Sequence, residues 1–235
     1  MWDNHQMLGL LANSLFVLAA LVASYSIGHW AINLPVFPLK EVRVSATGSS
    51  TLKHVTREQI SDSVRSQAIG NFFTVDLDSA RVAFGKLPWV RAASVRRVWP
   101  DGLEVKLEEH VVLARWGGAG LVNTHGEIFD ATADEALPFF EGLEESASDM
   151  ARQYVIFKEL LRPLGQNIQY IRLSPRRAWT VRLGNGTTLE LGRAQLEARL
   201  TRYVLAHSAH SPAIGKSDRQ LSYVDLRYPN GFAAR

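Results

Sequence analysis

The chain has 235 residues and no cysteine, and its 26 Lys and Arg against 23 Asp and Glu leave a formal net charge of +3. The missing thiols exclude disulfide frameworks, thiolate nucleophiles and Cys-ligated zinc. So balanced a charge, with no Lys/Arg cluster interleaved with aromatics, offers no footprint for nucleic acid. The length accommodates one membrane segment and two small domains.

Between Asp3 and Lys40 no residue carries a formal charge, and Leu8 to Ile27 is apolar enough to cross a bilayer as a helix. Trp2 and Trp30 would stand roughly 42 Å apart at the helical rise, one near each headgroup layer. Val22-Ala23-Ser24 has the small residues of a signal-peptide cut. The leading MWDNHQ, however, lacks Lys and Arg, and the apolar run exceeds the usual length of a signal core. An uncleaved span over 8–32 behind a short tail, 1–7, is therefore expected. Flanking charge does not orient it: Asp3 lies on the short side, Lys40 and Arg43 on the long side, and long domains translocate largely regardless of charge.

Residues 41 to 47, EVRVSAT, form a strand candidate with Val42 and Val44 on one face. Thr56-Arg57-Glu58-Gln59 reads as a capping box that opens a helix through Ile60, Val64 and Ala68, ended by Gly70. A second helix runs from Leu77 to Leu87, with Leu77, Val82, Phe84 and Leu87 available to a core and Pro88 closing it. Then LPWVRAASVRRVWPDGLEVKL, Leu87 to Leu107, reads as a hairpin. Its turn is Trp99-Pro100-Asp101-Gly102, with Gly102 expected to take the positive φ. Leu103, Val105 and Leu107 alternate with Glu104, Lys106 and Glu108, while adjacent Arg96 and Arg97 break the pattern and predict a bulge near the turn. Trp89 and Trp99 are expected in the core or at a domain seam.

After Trp116, Gly117-Gly118-Ala119-Gly120 is a turn, and Gly126 marks another before Glu127-Ile128-Phe129. Residues 127–149 hold eight acidic side chains and no basic one, scattered without calcium-loop spacing, which reads as a solvated acidic loop. Ser148 or Asp149 is placed to cap a helix carrying Met150, Tyr154, Phe157 and Leu161 at helical spacing, ended by Pro163 and Gly165. Strands follow at Ile168 to Leu173, Trp179 to Leu183 and Thr188 to Leu191, the last two joined by a hairpin turn at Asn185-Gly186. A helix from Ala194 to His207 presents Leu196, Leu200, Tyr203, Val204 and His207 on one face. The chain closes with a strand, Leu221 to Tyr228.

No catalytic, metal or cofactor constellation emerges. His207 and His210 share an i, i+3 spacing but lack an intervening Glu base. His125 and Glu127 flank a turn. Ser174-Pro175 and Ser211-Pro212 are turn starts rather than nucleophile elbows. Gly184-Asn185-Gly186 precedes a strand and is no phosphate loop.

Taken in order, Asn71-Phe72-Phe73, Leu87-Pro88-Trp89-Val90, Val95-Arg96-Arg97, Trp99-Pro100-Asp101, Ala114-Arg115-Trp116, Leu121-Val122-Asn123 with Gly126 and Phe129, and Tyr223-Val224-Asp225-Leu226-Arg227-Tyr228 give a pattern. It resembles the FtsQ/DivIB bacterial cell-division proteins over nearly the whole chain. The resemblance implies an α+β chain: one N-terminal transmembrane helix, a small POTRA domain (β-α-α-β-β) over 38–109, and a mostly antiparallel β domain with two helices over 110–235. It implies a non-enzymatic scaffold without cofactors, a single-pass type II protein of the bacterial inner membrane at the division septum, its C-terminal domain periplasmic. Its partners would be FtsB-like and FtsL-like bitopic proteins and, indirectly, a septal peptidoglycan synthase of the FtsW/FtsI type, with membrane lipid met through the one helix and no nucleic acid. Carried over residue by residue, the partner site is Arg193, Tyr228, Asn230, Gly231 and Phe232. Two departures stand out: Pro229 removes a backbone donor, and the N-terminal tail is shorter than the family's basic one. The alternatives are a POTRA-bearing secretion or outer-membrane assembly adaptor, which needs more modules or a barrel, and a membrane-anchored cell-wall hydrolase, which needs a carboxylate pair or zinc.

Overall fold

The computed structural model describes residues 5–34, 37–48, 51–67, 71–118, 120–210, 222–228 and 231–234, and the chain separates into two compact units, Met1–Glu109 and His110–Arg235. Among residues singled out from the sequence, Trp2, Asp3, Ala68, Gly70, Ala119, Ser211, Pro212, Leu221, Pro229, Asn230 and the side chain of His210 lie outside that description.

The first unit opens with α1, His5–Ile32, of which Leu8–Ile32 has mean hydropathy 1.9 and is not buried against the rest of the protein. Those 25 residues extend about 37 Å, more than the ~30 Å hydrocarbon layer. Then come β1 (Glu41–Ala46), α2 (Arg57–Gln67), α3 (Leu77–Gly85), β2 (Val90–Val98) and β3 (Gly102–Glu109). β3 is central, parallel to β1 and antiparallel to β2. The capping box forms reciprocally: the Thr56 amide donates to Gln59 Oε1 at 3.0 Å and the Gln59 amide to Thr56 Oγ1 at 3.3 Å. Asp76 caps α3 by accepting from the amides of Asp78 and Ser79. The helices cover one face of the sheet, where Val55, Phe84, Val90, Val105 and Leu107 are buried with Val42, Val44, Ile60, Val64 and Val95 against them.

Several expectations fail here, each for a local reason. The bulge lies between Val90 and Ala92, away from the turn, and Ala92 to Val98 pair with β3 without interruption. Arg96 and Arg97 preserve the alternation: Arg96 pairs with Glu104, while Arg97 reaches from the other face to the carbonyls of Phe72 (2.7 Å), Phe73 (3.2 Å) and Val75 (2.8 Å). The turn contains a cis Trp99-Pro100 bond, and Gly102 is a strand residue without positive φ, paired with Val98 and Glu41. Trp99 is 80% exposed rather than in the core of its unit, and Val82 faces solvent on α3. Trp89 is half-buried and stacks on His54 with ring centroids 3.7 Å apart.

The second unit is one nine-stranded sheet with two helices. Its strands are β4 (Val112–Trp116), β5 (Gly120–Asn123), β6 (Ile128–Phe129), β7 (Phe139–Glu141), β8 (Ile168–Leu173), β9 (Trp179–Leu183), β10 (Thr188–Gly192), β11 (Tyr223–Asp225) and β12 (Ala233–Ala234). They lie in the order β12-β11-β10-β9-β8-β7-β4-β5-β6. Five of the eight pairings are antiparallel; β10–β11, β7–β8 and β4–β7 are parallel. The helices α4 (Ala147–Leu161) and α5 (Leu196–His210) bury Met150, Tyr154, Phe157, Leu161, Leu200, Tyr203 and Val204 against Ile171, Val181, Leu183, Leu189 and Leu191.

The acidic stretch is not a loop throughout. β7 inserts mid-sheet with Phe140 fully buried, and the exposed acids flank it. Three residues with one apolar side chain inward carry too little periodicity to register as a strand. Neither Ser148 nor Asp149 caps α4. The helix grows out of a 3-10 turn, Glu144–Ser146, and Asp149 instead pairs with Arg152 and, at 2.7 Å, with Arg177. His207 is exposed at the rim of α5, 5.7 Å from Tyr203 between ring centroids.

Candidate functional site

The last elements of the chain build one edge of the large sheet. β11 lies parallel to β10, Leu189 opposite Val224 and Glu190 opposite Asp225. The expected closing strand, Leu221 to Tyr228, is shorter than its composition suggests, because Leu226 turns fully into the core and the Arg227 amide bonds Asp225 Oδ1 at 3.0 Å, bending the chain. Nor is β11 the open edge. The chain's own tail returns, with Ala234 opposite Val224 and Ala233 opposite Asp225, so the outermost strand is β12. A strand this short presents few unpaired backbone groups, yet it is the template an added strand would meet.

Arginines hold this edge in shape. Arg199 on α5 donates to the Leu191 carbonyl at 2.5 Å and the Arg227 carbonyl at 3.2 Å, and Arg202, one turn on, donates to the Tyr228 carbonyl at 3.2 Å. The close approach depends on Gly192, which has φ +76° and where a Cβ would stand 2.8 Å from Arg199 Nη1 and 3.1 Å from Arg227 Cγ. Arg227 grips buried Asp225 with two bonds, Nε to Oδ1 at 2.8 Å and Nη2 to Oδ2 at 2.6 Å. Those bonds hold the Asp225 carboxyl below the usual carboxylate range against the opposing effect of burial, and the same contact raises Arg227.

The structure gathers most of the sequence-derived site. Tyr228 is 55% exposed, Phe232 is 37% exposed beside β12, and Gly231 is half-buried. Because Ala233 opposes Asp225, Phe232 stands at the same end of the edge as Arg227. Arg193 follows Gly192 at that end, exposed in the connection to α5 rather than on the helix, and among the described residues it makes no hydrogen bond or ion pair. Asn230 lies outside the described residues. Arg199, Arg202, Asp225 and the strand Ala233–Ala234 escape sequence reasoning. The i, i+3 arginine pair on one helix and the Asp-x-Arg of 225–227 were the available signals.

Among the described residues no three His, Cys, Asp or Glu converge as a metal site would require. Residues 37–110 match the family model described as POTRA domain, FtsQ-type, and residues 114–227 match cell division protein FtsQ/DivIB, C-terminal. The chain belongs to the FtsQ/DivIB family. It is similar to the cell division protein FtsQ of Nitrosospira multiformis, 56% identical over all of this chain and 99% of the relative. The FtsQ of Burkholderia pseudomallei is 42% identical over all of this chain and 94% of its own length, and that of Neisseria gonorrhoeae 33% over all of this chain and 95% of its own length. Membership in FtsQ/DivIB makes this a cell-division protein. The part of the first unit that follows α1 is thus the FtsQ-type POTRA fold, and apolar α1 fits the membrane anchor of a bitopic inner-membrane member.

Proposed function

We propose that this protein is a non-enzymatic scaffold of the bacterial division machinery that binds FtsB-like and FtsL-like bitopic proteins and links earlier division components to septal peptidoglycan synthesis through an FtsW/FtsI-type synthase. The observation that carries the reading is the C-terminal edge. A two-residue outer strand with exposed backbone lies beside Tyr228 and Phe232 and is flanked by Arg193, which is exposed and without a partner among the described residues. Such an edge recruits a strand by main-chain pairing, takes an apolar side chain against the aromatics, and steers an acidic segment by its arginines. The proposed organisation is a cytoplasmic tail over 1–7, a span over 8–32, a POTRA domain over 38–109 and a partner-binding β domain over 110–235. Everything beyond the span lies in the periplasm at the septum.

Two experiments test it. A reporter active only in the periplasm, fused after Arg235, reports activity if the topology is right, and N-terminal sequencing still begins at Met1; a mature chain starting near Tyr25 would refute the anchor. Tagged full-length protein should retain the FtsB-like and FtsL-like proteins of the same cell, and lose them on deletion of Gly231 to Arg235. Retention at wild-type strength after that deletion would refute the site.

A further inference from the structure

Of the four large apolar side chains exposed between residues 33 and 109 among those described, three are aromatic: Phe37, Phe73 and Trp99, with Val82 the fourth. They are far apart in sequence, but hydrogen bonds collect them at one end of the unit, the end from which α1 leaves. The buried Asn71 side chain donates to the carbonyls of Ile32 at 2.6 Å and Leu34 at 3.2 Å, tying the 71–74 loop to the end of α1. The Phe72 amide bonds the Phe37 carbonyl at 3.0 Å, and the Phe37 and Phe73 rings meet edge-on with centroids 5.1 Å apart. Arg97 clamps the Phe72 and Phe73 carbonyls, and Trp99 begins the turn two residues later. Lys40, entering β1, bonds the same turn through its amide to the Asp101 carbonyl at 2.9 Å.

A single exposed aromatic is ordinary, but Trp99, 80% exposed, joins Phe73 and Phe37 at one end of the unit, and exposed apolar groups gathered in one place mark an interaction surface. If α1 spans the bilayer, its length exceeds the hydrocarbon thickness by about 7 Å, which sets Ile32 in the headgroup layer, where Trp and other amphipathic rings partition. Trp30, 65% exposed in the last turn of α1, would lie in the same layer. We propose that Phe37, Phe73 and Trp99 form a lipid-docking surface, seating the POTRA unit directly on the bilayer that anchors it. Charge is not the driver. At this end Lys40 pairs with Asp101 at 3.0 Å, Arg43 with Glu41 at 2.7 Å, and Arg96 with Glu104, so of these cations and Arg97 only the last, bonded to carbonyls rather than to a carboxylate, leaves its field to anionic headgroups. The aromatic rings therefore dominate, the surface takes a zwitterionic phospholipid interface, and its hold changes little with salt. The consequence is a fixed tilt and height of the POTRA sheet over the membrane, in place of a domain swinging on a tether. This rests on the spanning role of α1 proposed above.

The absence of cysteine makes the test direct. Full-length protein is reconstituted in phosphatidylcholine vesicles with a single spin-labelled cysteine introduced by Trp99→Cys, and separately by Phe73→Cys. Lys53→Cys serves as the water control: Lys53 binds Glu109 through its amide at the opposite end of β3 from the Trp99 turn, about 20 Å away at the strand rise. Leu18→Cys reports the span itself. Collision with oxygen should exceed collision with a water-soluble nickel chelate at 99 and 73, with the order reversed at 53, and the pattern should persist at ~0.5 M salt. Nickel-dominated accessibility at both 99 and 73, with Leu18→Cys in lipid, refutes the docking surface while the span stands. A pattern seen only with anionic lipid and lost in salt refutes it as well, and a water-exposed label at 18 refutes the anchor and the docking together.

Discussion

Gly192→Ala separates two costs at the proposed partner edge when set beside Gly165→Ala. Both glycines sit at positive φ, +76° and +62°, so a methyl group at either position pays the left-handed penalty of about 1–2 kcal/mol. Both also gain the same small benefit from a stiffer unfolded chain, about 0.4–1 kcal/mol. Gly165 has nothing within 4 Å of its would-be Cβ, whereas at Gly192 that atom lies 2.8 Å from Arg199 Nη1 and 3.1 Å from Arg227 Cγ. Those side chains are flexible and move aside, at the expense of the Arg199 bond to the Leu191 carbonyl or the Arg227 grip on buried Asp225. A hydrogen bond to a charged group contributes roughly 1.5–3 kcal/mol. Gly165→Ala should thus cost about 1 kcal/mol and Gly192→Ala about 3 kcal/mol. Urea unfolding of the full chain in micelles, read by the fluorescence of buried Trp116 and Trp179, measures both. Partner affinity should fall for Gly192→Ala alone. If the two variants lie within ~0.5 kcal/mol of each other, the arginine scaffold does not hold this edge in shape.

Phe232→Asp should abolish partner binding while the domain melts cooperatively near the wild-type temperature, since Phe232 is partly exposed and carries no core; a collapse in melting temperature would make it structural. Arg193→Glu should weaken binding, with a loss that shrinks as salt rises, in calorimetric titrations at two ionic strengths. Phe140→Ala should cost about 3–5 kcal/mol, because the ring is fully buried in the inserted strand β7, and a loss under 1 kcal/mol in urea titrations would contradict that placement. Asp225 titrates below its ordinary value through Arg227, so its stabilisation is complete above the unfolded carboxylate pKa of about 4 and is lost as pH falls through the lower folded value. The stability gap between wild type and Asp225→Asn should accordingly close on acidification below about pH 4, and a gap that widens would reverse the sign of this contact.

Elements whose signal is local and repeated were legible from the chain alone. The uncharged run before Lys40, the Thr56–Gln59 box, the helix carrying Met150, Tyr154, Phe157 and Leu161, and the Asn185-Gly186 hairpin each follow from composition, side-chain spacing or turn chemistry within one continuous stretch of chain, and each formed. Elements whose partners are distant were not. β7 reads as acidic loop because its burial comes from β4 and β8 on either side rather than from its own pattern. Arg97 looks like a break in a strand until the carbonyls of Phe72, Phe73 and Val75 arrive to receive it. Trp99 looks like core because aromatics usually are, and only the geometry of the turn leaves it bare.

The proposed partner edge divides the same way. The sequence by itself announced a strand near Tyr223–Tyr228, and the family resemblance marked Tyr228, Phe232 and Arg193 as the proposed contact residues. Tertiary structure alone decided that the tail folds back on Tyr223–Asp225 and becomes the outer strand, and that Arg199 and Arg202 brace it from α5. Two alanines have no strand preference of their own to announce. They pair because β11, bonded to β10 along one side, leaves the ladder of donors and acceptors on its other side unsatisfied, and the chain that lies closest satisfies it.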